Sequence, residues 1–460
     1  MFSKILIANR GEIALRIIRS AKELGLKTVA VYSEPDRNSL HTMLADEKIC
    51  IGPAKASESY LNIPNIMSAA EITQADAIHP GYGFLAENPR FPEICESSGI
   101  AFIGPPAHII RLMGDKNKAR QAMNRAKLSI IPGSDRAIED LTEAKKTAQK
   151  VGYPIILKAA AGGGGKGMRI VRSPSQLEEQ FSIAQSEAKA AFGDSSLYLE
   201  KYFEGARHIE IQVIGDKNGE VFGFTERECS IQRKHQKLLE ETPSPYVDER
   251  FRKKIIKAVE EAAHSIGYKS LGTFEFLVDA NKRFYFMEAN TRIQVEHPIT
   301  EMIYGIDLVK EQIKIAAGEK LSLSHVLKPN GHSLECRLNA EDAETFLPSP
   351  GKIEFLVFPG GTGVRIDTAV YSGWIIPPDY DSLIAKVSVK APTRAEALVK
   401  MRTALEMTII VGIKTNIPLH LSLLSNSDFL KGNYDIQFME RYLSKDKKNN
   451  SKSRPIVAIE

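Results

Sequence analysis

Apolar and polar positions follow two rhythms along this chain. Ile5 to Ala8 is an apolar run of strand length, Gly11 to Leu24 places Ile13, Ile17, Ala21 and Leu24 on one helical stripe, and Lys27 to Tyr32 is strand-like again. Gly25 stands where a helix C-cap is expected. Strand, helix and strand in about thirty residues predict a parallel crossover unit. A second such unit closes at His79-Pro80-Gly81-Tyr82-Gly83-Phe84, whose glycines read first as turn residues. From Asp115 the chain is richer in charge and alanine, with a helical run over Thr142 to Lys150 that ends at Gly152. Tyr153 to Ala159 and Met168 to Val171 read as strands around a glycine loop, a hairpin with a flexible tip and hence a candidate lid. His208 to Val213 alternates, so His208, Glu210 and Gln212 share one sheet face. Arg252 to Ile266 is an amphipathic helix, and Glu319 to Pro329 is a connector. A smaller module of strands and one helix, Arg394 to Thr408, completes the fold. Residues 445–460 lack apolar periodicity and are expected to be disordered.

Length and charge narrow the class. At 460 residues, 43% hydrophobic and 26% charged, the chain is an ordinary globular one, large enough for about three domains. Its formal charge of +4 is too small for bulk attraction to nucleic acid or a membrane surface. Most of that excess sits in residues 445–460, with five basic and two acidic side chains. Cys50, Cys95, Cys229 and Cys336 stand singly, without the spacing of a zinc site or redox pair. No apolar run reaches the length of a signal core or a membrane span, so a cytoplasmic protein is expected.

Three clusters carry candidate chemistry. The loop Gly162-Gly163-Gly164-Gly165-Lys166-Gly167 is not a P-loop, since Ala160 stands where the first glycine belongs and Gly167 where a hydroxyl is needed. Its backbone could still wrap phosphate oxygens, with Lys158 and Lys166 beside it, and a plain linker is the alternative. The first turn, Ala8-Asn9-Arg10-Gly11-Glu12, has a single glycine and reads as scaffold rather than dinucleotide fingerprint.

In the second cluster, Phe274-Glu275-Phe276 and Phe286-Met287-Glu288 are strands joined by a polar turn, Asp279 to Arg283. If that turn centres on Asn281 and Lys282, Glu275 faces Glu288 across the hairpin. Opposed carboxylates favour a cation between them, and oxygen ligands, with Asn290 adding one, favour Mg2+ or Mn2+. One glutamate turned to solvent is the alternative. The third cluster follows at once: an extended Asn290 to Pro298 would put Arg292, Gln294 and Glu296 on one face, able to hold a small oxyanion and offer it a base, or else to form a surface ion-pair strip. His297 reads as structural. Nothing demands a catalytic role of Cys229, although His235 is near it in sequence.

The segments Ala8 to Ala14, His79 to Leu85, Gly162 to Met168, Cys229 to Lys237 and Glu288 to Pro298, in this order, resemble biotin carboxylases of the ATP-grasp superfamily over essentially the whole chain up to the tail. The resemblance implies an α/β and α+β multidomain fold: a Rossmann-like pre-grasp domain (1–114), a linker with a mobile lid (115–203), an ATP-grasp core (204–330), a C-terminal domain (331–444) and a basic tail (445–460). It implies that Lys116, Lys158 and the 162–167 backbone contact ATP phosphates. Glu200, Lys201 and Phe203 would hold adenine, largely through backbone groups, with His208, Gln232 and His235 nearby. Glu275, Glu288 and Asn290 would bind two Mg2+ or Mn2+ ions.

Lys237, Arg292, Gln294, Val295 and Arg337 would bind bicarbonate, and Glu296 would take its proton so that it attacks the γ-phosphate. Carboxyphosphate would then release CO2, and Arg337 would stabilise the enolate of biotin that captures it. The chain has no Met-Lys-Met acceptor, so biotin must arrive on a separate carrier protein, with carboxyltransferase subunits completing the cycle. The leading expectation is the subunit of an acetyl-CoA carboxylase that serves fatty-acid synthesis; a split pyruvate or propionyl-CoA carboxylase is the runner-up. A catalytically dead ATP-binding regulator would have lost Glu288, Arg292, Glu296 or Arg337, and all are present. Arg19, Glu23 and Arg365 match the family's dimer contact, while Thr362 stands where a bacterial relative has an aromatic. Ala161 and Lys166 depart from the family's loop.

Overall fold

The computed structural model describes residues 2–160, 168–321, 323 and 328–450, with side chains as far as 444. Its N-terminal unit is a five-stranded parallel sheet in the order β3-β2-β1-β4-β5, formed by Lys4–Ile7 (β1), Lys27–Ser33 (β2), Glu47–Gly52 (β3), Ala77–His79 (β4) and Ala101–Phe102 (β5). Helices cover both faces, so the central strands are buried on both sides and read as near-continuous apolar runs. The helix Gly11–Glu23 is the first crossover, as its stripe predicts, and Gly25 follows it in the left-handed region at φ 76°.

The expected lid hairpin is present. Ile155–Ala159 (β6) pairs antiparallel with Arg169–Val171 (β7) and with Leu197–Lys201 (β8), so Ile155 faces Val171 on one side and Lys201 on the other. The loop residues Gly162, Gly163, Gly164, Gly165, Lys166 and Gly167 lie outside the described residues.

The rest is organised by one nine-stranded antiparallel sheet. Its first part comprises Arg207–Gly215 (β9), Val221–Gly223 (β10), Arg227–Arg233 (β11), Gln236–Thr242 (β12), Ser270–Val278 (β13) and Phe284–Asn290 (β14). His332–Asn339 (β15) continues it beside β12, followed by Leu383–Ala391 and Val364–Thr368. Thus the C-terminal module is hydrogen-bonded through β15 to the preceding core rather than merely packed on it. Ile209, Ile211 and Val213 of β9 face the core under the helix Glu249–Ser265, while His208, Glu210 and Gln212 share the opposite face. That polar face is buried too, because it meets other charged groups instead of water.

Two expectations are corrected here. The C-terminal module holds four helices, not one: Arg394–Glu406, Ile417–Leu423, Ser427–Leu430 and Phe438–Asn450. The extra ones are mostly too short for a periodicity signal, and Leu419 with Leu423 and Phe438 with Met439 supply only brief apolar stripes. The last helix also continues to Asn450, into the segment expected to be disordered, from a first turn in which Phe438 and Met439 are buried. Among the described residues no helix is long and apolar enough to cross a membrane.

Candidate active site

A cleft of ≈ 1130 Å³ runs between the lid strands, the polar face of the large sheet and the first-unit loops. It brings together nearly every residue singled out above. Its lining includes Lys116, Lys158, Glu200, Lys201 and Phe203, together with His208, Gln232, His235, Glu275 and Glu288, and also Asn290, Arg292, Gln294, Val295, Lys237 and Arg337.

The Glu275–Glu288 opposition holds. The two residues are register partners across β13 and β14, with an irregularity just after Glu275. Glu275 is buried, and its Oε1 accepts from Lys237 Nζ (3.1 Å), Asn290 Nδ2 (2.7 Å) and Gln294 Nε2 (2.9 Å), while His208 Nε2 lies 2.8 Å from Oε2. Burial alone would raise its pKa, but Lys237 and His208 hold it well below the carboxylate range. Glu288 is exposed to the cleft; desolvation, then the Glu275 charge, push its pKa up. A carboxylate left short of positive charge opposite a second carboxylate is a donor pair that suits a hard divalent ion, while the Asn290 amide turns Nδ2 to Glu275 and Oδ1 to Arg292.

Glu296 is not on an extended strand, as the spacing suggested. Residues 291–296 form a bend leading into the helix His297–Tyr304, with Pro298 in its first turn. The three side chains converge all the same. Arg292 gives Nη1 to Gln294 Oε1 (2.9 Å) and Nη2 to Asn290 Oδ1 (2.8 Å), while Gln294 reaches Glu275 and Glu296 sits fully buried between two cations. Its Oε1 accepts from Lys237 Nζ (2.7 Å) and its Oε2 from Arg337 Nη2 (2.9 Å). Burial opposes ionisation, but Lys237, Arg337 and Arg227 outweigh it and hold the pKa far below normal. Lys237 also contacts Glu210 Oε2 at 2.5 Å, and its pKa is raised because those carboxylates overcome the cost of burial. Arg337 bridges Glu296 to Glu240, Nε to Oε1 at 2.7 Å.

At the lid end, Lys158 Nζ lies 2.5 Å from Glu200 Oε2 and Arg120 holds the other oxygen at 2.8 Å. Lys201 turns its ammonium to the carbonyls of Gly152 and Tyr153. Phe203 stacks on Tyr285 with centroids 4.6 Å apart. His235 sits at the exposed tip of the β11–β12 hairpin, where it and Lys234 both take positive φ as a two-residue turn demands. That turn sets Gln232 opposite Lys237.

Sequence reasoning missed four members of the constellation. Glu87 holds Arg292 Nε at 2.8 Å and the Thr291 amide at 3.0 Å; its only signal is its place two residues after the His79 to Leu85 motif. Glu210 counted merely as a face residue, and the fully buried Arg227 that pairs with it was not singled out at all. Glu240 had no signal at all. Cys229 is buried, and burial pushes its thiol pKa well up, in line with an inert group.

Comparison with known proteins adds the following. Residues 1–110 match the family described as biotin carboxylase, N-terminal domain; residues 115–324 match carbamoyl-phosphate synthase L chain, ATP binding domain; residues 335–441 match biotin carboxylase C-terminal domain. A Haemophilus influenzae biotin carboxylase is 55% identical over 96% of this chain and 99% of its own length. A pyruvate carboxylase subunit from Methanothermobacter thermautotrophicus is 51% identical over 96% of this chain and 90% of its own. Among solved structures, a Campylobacter jejuni biotin carboxylase in complex with a β,γ-ATP ligand superposes with a TM-score of 0.91 at 52% identity, covering 96% of this chain and 99% of that one. The dimeric biotin carboxylase domain of a Hydrogenobacter thermophilus 2-oxoglutarate carboxylase, with MgADP and bicarbonate, gives 0.89 at 49% identity, covering 96% and 98%.

Proposed function

This chain belongs to the biotin carboxylase family of ATP-dependent carboxylases, and on that premise we propose that its cleft carries bicarbonate activation at the Glu296 end and ATP at the Lys158 end. The observation that carries this reading is the bracketing of buried Glu296 by Lys237 and Arg337. A carboxylate so strongly stabilised is a poor base until something competes for its cations. Bicarbonate would be that competitor: its negative charge draws Lys237, Arg292 and Arg337, with Gln294 and the Val295 backbone beside them, and Glu296 then becomes basic enough to accept the proton. The deprotonated oxygen attacks the γ-phosphorus of ATP, the bond to the β-bridging oxygen breaks, and ADP leaves. Breakdown of carboxyphosphate in the enclosed cleft yields CO2 and phosphate. The released phosphate takes the ureido N–H proton of biotin, Arg337, freed from Glu296, faces the enolate so formed, and the ureido nitrogen attacks CO2.

Lys116 and Lys158 suit the ATP phosphates, with Lys158 leaving Glu200 to reach them, and Phe203, Lys201, His208, Gln232 and His235 surround the rest of the nucleotide. The 162–167 loop would close above. Glu275, Glu288 and Asn290 would hold two Mg2+ or Mn2+ ions, whose chemistry is to neutralise phosphate charge. The division at 114, 203 and 330 assigns the first unit, the lid, the ATP-grasp core and the C-terminal module to these tasks.

The chain acts on biotin brought by a separate carrier protein, in the cytoplasm, with carboxyltransferase subunits downstream and most simply as part of an acetyl-CoA carboxylase. Service in a pyruvate carboxylase is the second reading, favoured by the 51% identical relative of that name. The biotinylated protein that co-purifies with the chain decides between them. A homodimer is supported by the exposed Arg19 and by an apolar groove where Thr362 lies beside Val399 and Met407, 67% and 55% exposed. The decisive assay is ATP hydrolysis by purified protein: it should require bicarbonate and be stimulated by free biotin. Hydrolysis indifferent to both rejects the reading.

A further inference from the structure

The segment Ala8 to Ala14 stands out in the sequence, yet the proposed chemistry gives it no task. In the structure it is a clamp. Asn9 Nδ2 donates to the carbonyls of Pro80 and Tyr82, 2.7 Å each, and a Cβ on Gly81 would come within 2.9 Å of that nitrogen. The Tyr82 hydroxyl donates to Glu12 Oε1. The same oxygen lies 3.0 Å from Nζ of Lys386, a fully buried lysine on the strand Leu383–Ala391, and that ammonium donates to the carbonyl oxygen of Val295 at 2.8 Å.

A lysine is a costly choice here. Lys386 is the cross-strand partner of Arg337, a like charge, and it stands at the positive end of the helix His297–Tyr304. Asp367, its partner on the other side, and Glu12 offset this, but an apolar residue would fill the space without needing either. What only a donor can do is hold the Val295 carbonyl. The neighbouring carbonyls of Gln294 and Glu296 already accept from His297 N and Ile299 N, both at 3.3 Å, while that of Val295 takes no part in the turn. We infer that Lys386 and Glu12 are positioning residues which fix the Val295–Glu296 peptide against the Tyr82 loop, so that the bicarbonate groups and the first-unit wall of the cleft keep one geometry. This rests on the bicarbonate role proposed for Gln294, Val295 and Glu296.

Steady-state kinetics of the full chain test it. Removing Lys386 leaves Glu12 a buried charge without its cation, and removing the Glu12 charge leaves Lys386 only Asp367 to offset it beside Arg337, so Glu12→Gln and Lys386→Met should each lower the melting temperature. The double variant should recover most of that stability, yet its KM for bicarbonate should stay raised about tenfold while its KM for ATP changes less than about twofold. Stability and bicarbonate KM returning together, or both KM values rising alike, would mean that the pair is structural only and overturn the inference. If the double variant does not fold, Glu12→Gln alone is judged by the same KM ratio. Absence of bicarbonate dependence in the unaltered protein would instead reject the reading of the site, and this inference with it.

Discussion

Glu296 and Arg337, proposed above as base and charge stabiliser, are hydrogen-bonded to each other, so each is neutralised by the other on that reading. Truncating the arginine therefore has two separable effects. Arg337→Ala should cut biotin-dependent turnover by on the order of a hundredfold or more, while ATP binding, measured by equilibrium titration, changes little, because on the proposed reading the nucleotide is held by Lys116, Lys158 and the groups around them and not by Arg337. Equal losses in both would remove Arg337 from its assigned role. At this scale the sequence was legible where geometry is local. The Glu275–Glu288 pair lies in one short hairpin, although the register beside the turn, Phe276 opposite Phe286, would oppose Glu275 to Met287, and a shift between Glu275 and Phe276 restores the expected pair. Glu87, Glu210, Arg227 and Glu240 were not legible, because their partners are 205, 17 or 97 positions away and no period connects them.

Among the elements, strand pairing and one buried carboxylate do most of the joining. Glu241 on β12 accepts from His332 on β15 (2.6 Å), from Arg394 of the helix Arg394–Glu406 (2.7 Å) and from the Tyr434 hydroxyl. Burial would raise its pKa, yet His332 and Arg394 bring it down from 4.5 to about 2. A folded-state pKa below the unfolded one means stability that is present above pH 4.5 and lost as pH falls towards 2. The contribution is on the order of 3 kcal/mol. Glu241→Gln should thus be less stable near neutrality, and the gap to the unaltered protein, followed by denaturant unfolding, should close as the solution is acidified through that window. A gap independent of pH would assign the loss to packing. The strands and longer helices that carry this arrangement were readable from their periods; the bend at 291–296 was not, since Arg292, Gln294 and Glu296 alternate as a strand would while Pro298 commits the following residues to a helix.

For the whole molecule, composition suggested about three domains, and the motifs divided the chain accordingly. What no sequence pattern disclosed is that β12 and β15 are hydrogen-bonded neighbours, from Leu239 opposite Cys336 to Thr242 opposite Ser333. This has a consequence for dissection. A chain ended near residue 330 would leave the flank of β12 as an unpaired row of amides and carbonyls, with Leu239 bared beside it. Such a fragment should self-associate through that flank, visible as concentration-dependent sedimentation that a separately supplied 331–444 polypeptide suppresses, and a monodisperse fragment would disprove it. The boundary that looks best for cutting is, in hydrogen bonds, a seam.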